Sequence, residues 1–82
     1  MDEYQDELQA LRPDDEIQGY EYIKGYEFIT TAGHGYLVVP RGDKLFGEAL
    51  KIVNYGYRGQ LAIYLEEDVE AGQLLSLVGG QA

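Results

Sequence analysis

Ile17-Gln18-Gly19-Tyr20-Glu21-Tyr22-Ile23-Lys24-Gly25-Tyr26-Glu27-Phe28-Ile29-Thr30-Thr31 is the stretch that decides the fold. Tyr, Ile, Phe and Thr are strand formers, so these fifteen residues read as extended structure. Gly19-Tyr20-Glu21-Tyr22-Ile23 nearly recurs six residues later as Gly25-Tyr26-Glu27-Phe28-Ile29. In one continuous strand an even offset places matching side chains on one face. Lys24-Gly25 then marks a bulge or a break.

The chain downstream completes a small sheet. Ala32-Gly33-His34-Gly35 is a glycine-rich turn, and Tyr36-Leu37-Val38-Val39 is the next strand, closed by Pro40. Asp43 is expected to cap a helix over 44–53, in which Leu45, Ala49 and Ile52 share a face with Phe46, Leu50 and Val53 beside them. Tyr57-Arg58-Gly59 reads as a turn. Gln60–Glu66 alternates, with Leu61, Ile63 and Leu65 on one face, the pattern of a half-buried strand. Asp68 is expected to cap a last helix over 69–78, ended by Gly79-Gly80. The order β-β-α-β-α predicts an α+β fold, an antiparallel or mixed sheet with helices on one face.

Upstream, Tyr4, Leu8 and Leu11 are spaced for a weak amphipathic helix that Pro13 stops. Residues 1–16 therefore read as an acidic N-terminal helix or a flexible arm, and 17–82 as a single α+β domain. With 82 residues and no cysteine, the chain must be stabilised by a small core without disulfides. The acidic start, Met1-Asp2-Glu3-Tyr4, is unlike a secretory signal, and apolar runs such as Tyr36-Leu37-Val38-Val39 are far too short to span a membrane. The expected location is the cytoplasm of a bacterial host, with no membrane partner.

Charge is uneven. Residues 1–16 carry Asp2, Glu3, Asp6, Glu7, Asp14, Asp15 and Glu16 against Arg12, a net of −6 within a total of −9. Residues 60–82 carry Glu66, Glu67, Asp68 and Glu70 and no basic residue, while the middle is nearly neutral. Direct nucleic-acid binding is disfavoured, because phosphate contacts by Lys and Arg supply most of that affinity. A basic protein partner is favoured.

Catalytic and cofactor motifs are missing. His34 is the only histidine and there is no cysteine, so no metal or cofactor site is expected. Gly33-His34-Gly35 lacks the spacing and the lysine of a phosphate loop. His34 could serve as a base on a flexible loop, but a triad also needs a paired nucleophile, and neither Ser76 nor Thr30 and Thr31 sit in such a motif. Glu66-Glu67-Asp68 is accounted for by a helix start. The chain is read as a non-enzyme.

The tyrosines point to binding. Tyr20, Tyr22 and Tyr26 are too many for so small a core, and Glu21 and Glu27 flank them. Aromatics ringed by carboxylates suit a basic groove that ordinarily holds nucleic acid, the acids standing in for phosphates and the rings for bases. The expected contact set is Asp14, Asp15, Glu16, Glu21 and Glu27 for charge, with Tyr20, Tyr22 and Tyr26 as anchors. The alternatives are a subunit that pairs through an exposed strand edge, so that a homodimer stays open, and a small enzyme using His34.

Gly33-His34-Gly35-Tyr36-Leu37-Val38-Val39-Pro40, followed by Tyr55-Gly56-Tyr57 and Tyr64-Leu65-Glu66-Glu67-Asp68, resembles a pattern in uncharacterised small proteins of bacteriophages and mobile elements. The resemblance covers residues 30–75. It implies a phage accessory protein, and small acidic proteins of that origin resemble inhibitors of host defence, including anti-CRISPR proteins and DNA mimics. The function expected is an inhibitor that occludes a basic, nucleic-acid-handling surface of a host protein. On this reading, reversing Asp14, Asp15 and Glu16 to Lys weakens binding.

Overall fold

The computed structural model describes residues 2–79. Three helices pack on a five-stranded antiparallel sheet of order β1-β2-β3-β5-β4. The elements are α1 (Glu3–Leu11), β1 (Ile17–Ile23), β2 (Tyr26–Thr31), β3 (Gly35–Pro40), α2 (Phe46–Ile52), β4 (Tyr57–Arg58), β5 (Ala62–Glu66) and α3 (Glu70–Gly79). The α+β architecture is the one expected.

The fifteen-residue extended stretch is two strands, not one. It folds back at Lys24-Gly25, whose φ angles of 51° and 87° are the pair of positive values that a two-residue hairpin turn requires. Lys at the first position is unusual there, which is why the turn hides in the sequence. The fold-back cancels the translational repeat. Tyr26 lies opposite Ile23, Tyr22 opposite Glu27 and Tyr20 opposite Ile29. Opposed residues share a face, so Tyr20 and Tyr22 project from one side of the sheet and Tyr26 from the other. The turn after β2 falls at residues 32–34, within the glycine-rich segment.

Two further elements depart from the pattern. Tyr57-Arg58 is a short outer strand paired with Tyr64 and Ile63, not a turn. β5 is buried on both faces, since Ala62, Ile63, Tyr64 and Leu65 are all within 1% of full burial. Leu61 precedes the strand and is 39% exposed. Asp43 does not cap α2 directly: its Oδ2 accepts from the Leu45 N–H at 2.9 Å, and the helix begins at Phe46.

Both faces are covered. Leu37, Val39, Ile63 and Leu65 meet Ala49 and Val53 of the α2 segment and Ala71 and Leu74 of α3. On the opposite face Ile29, Tyr36, Val38, Ala62 and Tyr64 meet Leu8 of α1. The two helices expected on one face are there, and α1 covers the other. Asp2 caps α1, its Oδ1 accepting from Gln5 N–H at 2.8 Å. Glu7 then fixes the helix, accepting from Gln60 N–H at 2.7 Å and from the Tyr64 hydroxyl at 2.7 Å. Burial opposes the charged form of Glu7, but Tyr64 and the backbone N–H groups of Leu61, Gln60 and Ala62 outweigh it and hold the carboxyl below its usual range.

α1 is therefore part of the core. Leu8→Ala should cost roughly 2–5 kcal/mol, from lost transfer energy and the cavity left behind. Leu11→Ala, at a position 39% exposed, should cost under about 1 kcal/mol. Urea unfolding of both variants checks this; equal small losses would mean that α1 does not hold the sheet.

Candidate functional site

Antiparallel pairing places the chain's turns at two ends of the sheet. One end carries residues 14–16, the loop 32–34 and the connection 66–69; the other carries the Lys24-Gly25 turn and Arg41 to Lys44. Asp14-Asp15-Glu16 and Glu66-Glu67-Asp68, fifty residues apart in sequence, thus reach one pole. Asp14, Glu16, Glu67 and Asp68 are exposed there. Lys24, Arg41 and Lys44 lie at the opposite end.

A cavity of about 470 Å³ opens at the acidic pole, lined by Arg12, His34, Tyr36, Tyr55, Glu66, Asp68, Val69 and Glu70. Arg12 braces its wall, donating to the Tyr57 hydroxyl at 3.0 Å and lying 3.4 Å from Asp14. His34 Nδ1 is 3.4 Å from a Glu66 carboxylate oxygen. Tyr55 and Val69 are prominently exposed at 78% and 62%. Glu70 is buried and accepts from the backbone N–H groups of Asn54, Tyr55 and Gly56, so it ties α3 to the segment before β4. At Gly56 an added Cβ would lie 1.9 Å from the Tyr64 carbonyl oxygen, so only glycine allows that approach.

The expected contact residues divide sharply. Asp14, Glu16, Tyr20, Glu21 and Tyr22 are exposed. Asp15, Tyr26 and Glu27 are buried and are occupied within the fold. Asp15 accepts from the Thr31 hydroxyl at 2.7 Å and from Gly33 N–H at 3.0 Å, which shapes the histidine loop. The Thr31 bond is the largest cause holding its carboxyl below the usual range; burial opposes it, and Gly33, Arg12 and His34 assist. Tyr26 donates to Asp43 at 2.7 Å, and burial with that bond pushes its hydroxyl up to about 12. Glu27 accepts from the Gln5 side chain at 3.0 Å under α1.

Tyr20 and Tyr22 remain as surface aromatics, 56% and 65% exposed, their rings edge to face at 5.9 Å. They stand on β1, the outer strand, between the acidic end at Glu16 and the Lys24-Gly25 turn at the other end. Reversing all of Asp14, Asp15 and Glu16 would break the loop as well as the surface, because Asp15 is internal.

Thr31 and His34 are not paired as nucleophile and base. The Thr31 hydroxyl is held by Asp15 and accepts from the His34 backbone N–H at 3.0 Å, whereas the imidazole faces Glu66. Among the described residues no group of three or more His, Asp or Glu side chains is placed to hold a metal, and no helix is long and apolar enough to cross a membrane. No protein family, curated protein or solved structure matches the chain.

Sequence alone missed the convergence around His34, because Arg12, His34, Tyr55 and Glu66 share no local spacing. The charge segregation toward the termini was the one available signal.

Glu27 gives a pH signature. Burial pushes its carboxyl above the usual range, and Asp2 adds to this against the Gln5 bond. A carboxyl raised in the folded state stabilises most below its unfolded pKa, and that contribution is lost as pH rises through the folded value. Glu7 and Asp15 have the opposite sign: their contribution is lost as pH falls through their folded values. Glu27→Gln keeps the Gln5 contact and removes the buried charge. It should raise Tm at about pH 7, and the gain should shrink toward about pH 5. Thermal melts of both proteins across that range check the sign.

Proposed function

We propose that this protein binds a basic protein and occludes the surface with which that partner handles nucleic acid. The observation that carries the reading is the gathering of two acidic segments, 14–16 and 66–68, at one sheet end, with the exposed Tyr20–Tyr22 pair further along the edge strand that leaves it. A cluster of exposed carboxylates on a molecule of net negative charge steers and holds a positive groove. Exposed tyrosines supply rigid contact area of the kind that dominates binding energy. Charge on the outside and aromatics beside it match what a nucleic-acid groove already accepts.

An inhibitor made by a phage or mobile element and acting in a bacterial host is the biological setting this reading favours; the quoted sequence pattern is its support. The contact residues proposed are Asp14, Glu16, Glu67 and Asp68 for charge, with Tyr20 and Tyr22 as anchors.

The test compares a polar variant with a charge-matched control. Glu16→Lys, Glu67→Lys and Asp68→Lys change exposed residues of the acidic end; Glu3→Lys, Asp6→Lys and Glu48→Lys change exposed residues elsewhere. Both are used in pull-downs from bacterial lysate at low and high salt, with single-stranded DNA as competitor. The wild type and the control should recover a nucleic-acid-binding protein that salt and DNA release, and the polar variant should lose it. Equal recovery by both variants would refute the reading.

A further inference from the structure

β1 is an edge strand, and its outer side is open. In a hairpin closed by a two-residue turn, the pair flanking the turn exchanges both backbone bonds and the next pair exchanges none. Ile23 and Glu21 therefore turn their N–H and C=O groups toward β2, and Tyr22 and Tyr20 turn theirs outward. The bulge between Ile17 and Gly19 limits the regular edge to Gly19–Ile23, which spans about 17 Å. That segment contains neither Pro nor Lys, the residues that commonly blunt an edge. The sheet's other edge, β4, is only two residues long.

We infer that β1 accepts an extended, positively charged segment of the partner as an added outer strand, bonded to the backbone of Tyr20 and Tyr22, with a Lys or Arg opposite Glu21. The inference rests on the basic-partner reading above and names how that partner docks. Charge decides the occupant. Glu21 is exposed and sits at the centre of the edge. A residue across from it falls in a non-hydrogen-bonded pair, where side chains approach most closely. A positive residue there is attracted, and a negative one is repelled.

A second copy of this chain fits poorly. The register that bonds both tyrosines sets Glu21 against its counterpart, on molecules that each carry a net charge of −9. A register centred on Tyr20 runs into the bulge, and one centred on Tyr22 runs into the Lys24 turn. Lys24, the one basic residue beside the edge, is drawn toward α3, its Nζ lying 3.4 Å from the Leu75 carbonyl oxygen. Tyr20 and Tyr22 add flat apolar surface for the stems and apolar residues of the incoming strand.

The experiment uses the full chain, labelled for amide exchange by NMR, and short blocked peptides alternating Val with Lys or Val with Glu. At a Lys-peptide concentration about nine times its Kd, exchange of the Tyr20 and Tyr22 amides should slow by about tenfold, with Glu21 little changed. Tyr22→Pro removes an outward N–H while sparing the ladder to β2, and should abolish the effect. Glu21→Lys, a surface change, should transfer the preference to the Glu peptide. Equal protection by both peptides of the unsubstituted chain would overturn the proposal. So would protection without peptide that grows with protein concentration, which would make a second copy the occupant. Lys-peptide shifts confined to Asp14, Glu16, Glu67 and Asp68 would overturn the β1 assignment and leave the basic-partner reading standing. No interaction anywhere would remove both.

Discussion

Strands β3 and β5 are apolar on both faces, so a sheet built around them requires cover on both sides. Leu37, Val39, Ile63 and Leu65 face α2 and α3, while Val38, Tyr36, Ala62 and Tyr64 face α1. In a chain this short, leaving either face of these two strands uncovered would lose much of the net stability. The docking of α1 follows from that requirement. So does the placement of Glu7, whose carboxylate bridges the N-terminal helix to the start of β5 across more than fifty residues of sequence. The N-terminal segment, which reads as a helix or a flexible arm, is a helix that forms one layer of the core.

That layering separates the acids into two populations. Glu7, Asp15, Glu27 and Glu70 are used inside the fold, where each accepts hydrogen bonds from backbone or side-chain donors. A buried carboxylate is tolerated only on those terms. Among the described residues no buried side-chain polar atom lacks a partner. Of the exposed acids, Asp14, Glu16, Glu67 and Asp68 lie at the end of the sheet where the chain turns after α1, after β2 and before α3, and Asp2, Glu3, Asp6, Glu21 and Glu48 lie elsewhere. The binding reading depends on that local cluster rather than on composition.

The tyrosines divide by the same rule. Tyr26, Tyr36 and Tyr64 are buried with their hydroxyls engaged, and Tyr64 in particular donates to Glu7. Tyr20, Tyr22 and Tyr55 are left on the surface. Two of these occupy the open edge, so aromatic surface and unpaired backbone groups coincide on β1. Glu21 sits between them, and its charge discriminates among strands that could pair there.

Much of the architecture was legible in the chain itself. The helix-spaced apolar residues of α2 and α3, the glycine-rich turn before β3 and the strand residues of β5 are local signals, and they locate these elements because propensity and core packing agree. The segregation of charge toward the ends was equally plain. An interruption at Lys24-Gly25 was marked, but not that it is a hairpin, since a bulged strand and a fold-back share the same strand-forming composition and Lys is a rare first residue for such a turn. That single ambiguity set Tyr20 and Tyr26 on one face in the sequence pattern, and on opposite faces in the protein. Burial of Asp15, Tyr26 and Glu27, the pairing of His34 with Glu66, and the meeting of 14–16 with 66–68 were decided only by tertiary structure. Each depends on contacts between segments far apart in the chain, and local periodicity carries no information about which distant donor a carboxylate will find.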